Sequence, residues 1–162
     1  MSADHPGRLV LPKNIGFVLR MAQLYSFREF DRAFAGTGLT PPMLTILIVM
    51  RDNPGVRQRD LAPALMVRPP NLSPLIAALD EAGLISRCID KDDRRALDLR
   101  LTARGRRLIE TMQARLEALD DEILKALDAQ QRRTLHQYLD TILDDAQPVG
   151  RLGRTWSKTG SG

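Results

Sequence analysis

One stretch of alternating apolar residues around a fully charged turn constrains the fold of this chain more than any other feature. Residues 84–89 and 96–101 alternate in the manner of β-strands, and the turn between them, 90–95, has three acidic and three basic residues. A turn with that charge cannot lie in a core, so the stretch predicts an exposed β-hairpin. Helical patterns stand directly before it and, from Thr102, directly after it. A helix-turn-helix followed by a charged hairpin is the layout of a winged-helix DNA-binding domain.

The apolar spacing predicts six helices, four before the hairpin and two after it. The second, capped by Thr40 with Pro41 in its first position, is apolar on nearly all sides and is predicted to be the buried centre of the fold. The fourth carries an inward stripe of Leu72, Leu75, Ile76 and Leu79 and is closed by Gly83. The predicted ranges are about 14–35, 41–52 and 57–65, then a helix that follows the stretch 68–74, then 103–126 and 129–146.

These elements predict a mostly α-helical chain with one domain at 14–147 and flexible ends at 1–13 and 148–162. A winged helix-turn-helix DNA-binding lobe occupies about 40–102, and dimerisation helices occupy about 14–36 and 103–146. The flanking helices have more apolar surface than a lobe of this size needs. Pairing of two copies across a two-fold axis would cover that surface. The alternative is that these helices fold back on their own subunit.

The hairpin residues also resemble a known family signature. Asp90 and Asp93-Arg94-Arg95, followed by Leu99-Arg100-Leu101-Thr102 and Gly105, are similar to the signature of the MarR family of transcriptional regulators, and residues 83–85 fit the same pattern. The resemblance covers about 14–146. It implies a cytoplasmic homodimer that binds a pseudo-palindromic operator in double-stranded DNA. Many members are repressors released by small aromatic or phenolic compounds. The alternative is a winged-helix module for protein association, with no operator of its own.

The start of the fourth helix carries the predicted base-reading residues. Short polar side chains on the outward N-terminal face of a recognition helix reach base edges and phosphates, and Asn suits adenine. An alternative is that Asn71 only caps the helix, with Pro74 in its first turn. Pro74 stands where the family often has a polar or basic residue, so the operator cannot be inferred by analogy. On the fourth helix the predicted DNA-binding residues are Arg68, Pro70, Asn71 and Ser73.

The hairpin tip supplies the other predicted DNA contacts. Arg94 and Arg95 suit insertion in or beside the minor groove, where guanidinium groups gain from the negative potential. The resemblance implies that Asp93 pairs with a nearby arginine and fixes the shape of the hairpin, and that partner can be one of these two. Arg57, Arg59 and Arg100 are further candidates for phosphate contacts, against the alternative of plain solvated arginines.

A second candidate site lies on the first helix. Phe17, Met21, Tyr25 and Arg28 follow one helical face, and Met43 stands at the start of the second helix. Together they predict a pocket for a small lipophilic anion such as an aromatic carboxylate, which Arg28 could bind through two hydrogen bonds. The alternative is that this stripe belongs to the core or to the dimer interface.

Composition argues against an enzyme, a metal protein and a membrane protein. The chain has two histidines and a single cysteine, Cys88, so no residues stand at zinc-ligand spacing and no intrachain disulfide is possible. Cys88 lies in a predicted strand, which favours inert packing over redox sensing. No apolar run reaches about 18 residues, so no membrane span is predicted. We therefore predict no catalytic residues, no metal and no cofactor.

Charge is distributed unevenly along the chain. Residues 57–107 carry eleven basic and seven acidic side chains, whereas 108–147 carry four basic and nine acidic ones. A basic middle next to an acidic end favours one face for a polyanion, although solvated faces alone would explain the same pattern.

Overall fold

The computed structural model describes residues 10–89 and 97–145, with only the backbone described at 89 and 97. In this part of the chain, six helices and one two-stranded antiparallel sheet follow in the predicted order. None of the described helices combines the length and the apolar character that crossing a bilayer requires. The elements are α1 (Ile15–Ala33), α2 (Pro41–Asp52), α3 (Gln58–Ala64), α4 (Pro69–Glu81), β1 (Ile85–Ile89), β2 (Leu97–Leu101), α5 (Ala103–Ile123) and α6 (Ala129–Asp145).

The centre of the fold is α2, as its apolar character predicts. Thr40 caps it, and its side-chain oxygen accepts a hydrogen bond from the Met43 amide. The inward stripe of α4 is confirmed, because Leu72, Ile76 and Leu79 are buried and Leu75 is half-buried against the same cluster. This winged-helix core joins α2, α3, α4, the hairpin and the start of α5, with Ile46, Leu47, Leu61, Leu99 and Ile109 among its most buried members.

A sharp stop at the end of α4 lets the hairpin begin at once. Gly83 adopts φ +66°, which L side chains rarely adopt, and its amide donates to the Asp80 carbonyl while the Leu84 amide donates to the Leu79 carbonyl. β1 then pairs with β2, with Ile85 opposite Leu101. The loop before α3 adds a short third pairing at residue 57, because the Leu99 amide donates to the Val56 carbonyl at 3.0 Å.

A close backbone junction fixes α5 to the end of α4. The Thr102 hydroxyl caps α5 by accepting from the Gly105 amide at 3.0 Å, and it lies 2.7 Å from the Gly83 carbonyl oxygen. The Thr102 amide donates to the Leu84 carbonyl at 3.1 Å. A Cβ at Gly105 would overlap that same Leu84 carbonyl oxygen. The junction therefore requires glycine, because no side chain fits between the two backbones.

The helices α1 and α5 pack with α2 in a second, smaller cluster. Phe30 and Phe34 stack with ring centroids 4.4 Å apart and pack with Leu44 of α2 and Leu119 of α5. The helix α1 ends two residues before its predicted end, because the amide and hydroxyl of Thr37 both bond the Phe34 carbonyl and turn the chain. The last helix, α6, has no buried residue.

Candidate nucleic-acid interface

Two consecutive prolines begin the recognition helix α4. Pro69 and Pro70 occupy its first two positions, and Arg68 is the N-cap without a side-chain capping bond. The interpretation of Asn71 as the cap is therefore wrong, and Pro74 lies in the second turn rather than the first. Proline favours the start of a helix because its φ is already helical and its missing N–H is not needed there.

The same prolines remove the backbone donors that a helix start usually offers to phosphate. Neither has an N–H, and the next amide, that of Asn71, donates to the Arg68 carbonyl at 2.9 Å. Helix N-termini bind anions mainly through such free amides. At positions 69 and 70, any phosphate contact must therefore come from side chains or from neighbouring residues.

The side chains predicted to read DNA do face outward at this helix start. Arg68, Pro70, Asn71 and Ser73 are all exposed. The Asn71 carboxamide makes no hydrogen bond with any residue in 10–89 or 97–145, so both its donor and its acceptor are available. Ser73 is partly engaged, because its hydroxyl accepts from the Gln58 side chain at 3.3 Å and lies 3.3 Å from the Pro69 carbonyl oxygen. Ser73 thus ties α3 to α4 while remaining at the surface.

Two ion pairs that the sequence did not reveal fix the hairpin. Arg87 on β1 lies 3.0 Å from the Asp80 carboxylate near the end of α4, and Arg57 lies 3.8 Å from the Asp98 carboxylate on β2. Arg57, a candidate for a phosphate contact, is therefore half-buried and helps to hold the hairpin in place. The alternation of β1 places Arg87 opposite Leu99, on the face that packs toward α4, but it does not indicate Asp80 as the partner.

Of the remaining residues predicted to contact DNA, the structure describes some and not others. Arg94, Arg95 and Asp93 lie outside the described residues. Arg59 on α3 and Arg100 on β2 are exposed, which keeps both available to an anion. The turn between α3 and α4 places Met66 at φ +53° with 56% of its surface exposed. An apolar side chain thus stands at the surface beside the recognition helix.

The predicted effector residues do not form a single cluster. Tyr25 and Arg28 are neighbours, with the guanidinium 5.3 Å from the ring centroid, and Arg28 also lies 3.3 Å from the buried Glu29 carboxylate. The Tyr25 hydroxyl donates to the Glu122 carbonyl of α5 at 3.4 Å. Phe17 is half-buried and Met21 is exposed on the same helix. Met43 is buried in the winged-helix core cluster, which includes no residue of α1.

A recognition helix with an exposed polar start, held against a two-stranded hairpin, defines a winged helix-turn-helix DNA-binding protein. A model of the MarR family matches residues 39–97. The chain is 33% identical over 122 residues to a putative transcriptional regulatory protein for the hcr operon of Thauera aromatica, covering 75% of this chain and 74% of that one. It is 29% identical over 131 residues to the HTH-type transcriptional repressor Mb2911 of Mycobacterium bovis, covering 81% of this chain and 94% of that one.

A solved structure indicates the same class of protein as the two sequence relatives. The repressor CouR, bound to a 23-mer DNA duplex, is 30% identical, superposes with a TM-score of 0.76 and covers 81% of this chain and 93% of its own. The chain belongs to the MarR family and is a transcriptional regulator. The expectation that it is not an enzyme agrees with this membership.

Proposed function

We propose that this regulator is a repressor that binds, as a homodimer, a pseudo-palindromic operator in double-stranded DNA in the cytoplasm. The observation that carries the proposal is the exposed carboxamide of Asn71, unbonded within the described chain, at the start of α4. The names of two relatives support it, since Mb2911 is a transcriptional repressor and the CouR structure contains DNA. A 23-mer duplex is just over two helical turns, long enough for half-sites one turn apart.

The two ends of the proposed interface make different contributions. Asn71 reads a base, so Asn71→Ala changes preference among operators and costs about 1–3 kcal/mol at particular base pairs. The arginines of the hairpin tip, Arg94 and Arg95, contact phosphate or the minor groove. Replacing each by Gln lowers affinity across sequences and reduces the salt slope by about one unit per lost phosphate contact.

Fluorescence anisotropy with DNA flanking the protein's own gene, measured at several salt concentrations, tests this division. Gln137→Ala, which removes an exposed carboxamide from α6, outside the recognition helix, is the control for Asn71. An Asn71→Ala variant with unchanged operator preference would overturn the assigned base contact. Absence of any salt-sensitive binding by the unmodified protein would favour the alternative of a protein-association module.

The homodimer rests on apolar surface that a single chain leaves uncovered. On α1, the exposed fractions are 68% for Ile15, 47% for Val18 and 45% for Leu24, and on α6 they are 66% for Tyr138 and 51% for Ile142. Isolated exposed apolar residues are ordinary, but two helices that each expose several of them, at both ends of the chain, favour a second copy. Dimerisation would set the two recognition helices on the order of 34 Å apart, one DNA turn.

Light scattering tests the dimer with a matched pair of α6 variants. Ile142→Glu places a charge on the apolar face and is expected to shift the protein to monomer and weaken operator binding. Gln137→Glu adds the same charge on the polar side of the helix and is expected to leave the dimer intact. A monomeric Ile142→Glu protein that bound operator as tightly as the dimer would refute the need for two copies.

The effector site is proposed at Phe17, Met21, Tyr25 and Arg28. The contact of the Arg28 guanidinium with the Tyr25 ring supports it, because a carboxylate reaching Arg28 would meet an aromatic surface at the same place. Since Met43 lies in a different cluster, we leave it out of the proposed site. Operator competition with benzoate, using wild type and Arg28→Gln, tests the proposal. Equal competition in both proteins would exclude Arg28 from the effector site.

A further inference from the structure

Three arginines line a cleft beside the hairpin, together with apolar residues. The cleft encloses about 390 Å³ between the end of α2, strand β2 and the first turn of α5. Arg51, Arg100 and Arg106 line it, one from each of these elements, together with Met50, Leu101 and the turn at Pro54. We call this site the arginine cleft.

The charge of the arginine cleft is only partly neutralised. Asp52 pairs with Arg51 through two hydrogen bonds, of 2.7 and 3.2 Å. Asp98, the other nearby carboxylate, lies 3.8 Å from Arg57. Neither Arg100 nor Arg106 forms an ion pair with any described residue, and Arg106 is held by a 2.8 Å hydrogen bond to the Leu101 carbonyl. Among the described residues, these two guanidinium groups at one cleft therefore have no carboxylate partner.

The direction of Arg100 separates it from the face of α4 that is assigned to DNA. Neighbouring residues of a strand point to opposite faces. Leu99 is buried in the cluster that contains the inward stripe of α4, so Arg100 points away from the recognition helix. The guanidinium group of Arg100 is thus on the reverse side of the hairpin from α4.

We propose that the arginine cleft binds a phosphate monoester of a small organic molecule. Guanidinium groups match the oxygens of phosphate through paired, charge-assisted hydrogen bonds. Pro54, which is exposed, and the edge of Leu101 provide the apolar surface for the organic part, and 390 Å³ lies in the size range of small-molecule sites. An occupant would touch α2, β2 and α5 together, and so bridge the DNA-binding lobe and the first of the C-terminal helices.

Calorimetric titration with phenyl phosphate, inorganic phosphate and phenol tests the proposal on the full-length protein. We expect saturable binding of phenyl phosphate, weaker binding of inorganic phosphate and none of phenol. Arg100→Gln and Arg106→Gln each weaken phenyl phosphate binding about tenfold or more, as expected when a hydrogen bond to a charged group is lost. Arg106→Lys retains part of the affinity, because it keeps the charge.

The control variant is Arg107→Gln, which removes an exposed arginine next to Arg106 on the same helix and is expected to bind normally. Operator binding by the same variants, measured at several salt concentrations, distinguishes a site for a free phosphate ester from a contact with the DNA backbone. If Arg100→Gln left phenyl phosphate binding unchanged, or if it lowered the salt slope of operator binding by one unit while no phosphate ester bound, the small-molecule site would be refuted. Loss of phenyl phosphate binding with an unchanged salt slope supports it.

Discussion

Replacing Gly105 by Ala tests the backbone junction between α4 and α5 directly. The new Cβ would overlap the Leu84 carbonyl oxygen, lie 3.1 Å from the Leu84 carbonyl carbon and lie 3.4 Å from a methyl group of Leu101. The carbonyl cannot easily retreat, because it also accepts the hydrogen bond of the Thr102 amide. The substitution therefore forces α5 away from the end of the recognition helix.

The magnitude follows from two opposing effects. Overpacking against a well-packed neighbour costs about 1–3 kcal/mol, and a rigid backbone obstacle places this case near the upper end. Alanine in place of glycine inside a helix returns about 0.5–1 kcal/mol. The net loss is about 2 kcal/mol of unfolding free energy, which lowers the melting temperature by roughly 4–8 °C for a chain of this size.

Urea unfolding followed by circular dichroism, at one fixed protein concentration, measures this loss. The control is Gly16→Ala in the first turn of α1, where the added Cβ meets only the Asn14 side chain at 3.8 Å. That variant should be as stable as the parent or slightly more stable. If Gly105→Ala were also as stable as the parent, the close approach of the two backbones would not constrain this position.

Three further experiments probe other features of the chain. Met66→Asn relieves a left-handed backbone that costs about 1 kcal/mol for an ordinary side chain, so urea unfolding should show a small gain; no gain would mean that the methionine contacts offset the strain. A double-mutant cycle of Asp80→Asn with Arg87→Gln should give a coupling energy of about 0.2–1 kcal/mol in unfolding, and a larger coupling energy in operator binding. A coupling energy of zero in both unfolding and operator binding would make that ion pair incidental. Partial desolvation and the nearby Asp121 carboxylate raise the pKa of Asp120, against the opposing effect of His136. Because a raised acid pKa disfavours the folded state once the group ionises, Asp120→Asn should stabilise the protein at pH 7. Thermal melts should show this gain disappearing as the pH falls toward 3.8.

The sequence alone predicted most of the architecture, because apolar spacing controls burial in helices. The full bounds of α2 and the caps at Thr40 and Thr102 agree with their local patterns. The start of α4 was misplaced, because both Asn71 and the preceding prolines are typical of helix starts, and only the backbone shows which begins the helix. Local preference could not decide between them.

The candidate interface was predictable in its exposed side chains and not in its supports. Asn71 and Ser73 face outward because the inward stripe of α4 leaves them no other direction. The pairing of Arg87 with Asp80 depends on how the hairpin folds over α4, which is a tertiary relation between separate elements. The burial of Glu29, held by Arg32 at 2.9 Å on the same helix, likewise depends on packing that no local pattern encodes.

The proline pair at the start of α4 has a consequence for how this regulator changes over generations. A hydrogen bond from a backbone amide to phosphate survives almost any substitution, because every residue except proline retains the amide. Here that permanent anchor is missing at positions 69 and 70, so under the proposed function the alignment of the helix along the DNA depends on side chains such as Arg68. One codon change can delete such an anchor or move it to a neighbouring position. Under the proposed function, the position that this protein takes on DNA is therefore open to change by single mutations, whereas the hydrophobic core beneath it can stay the same.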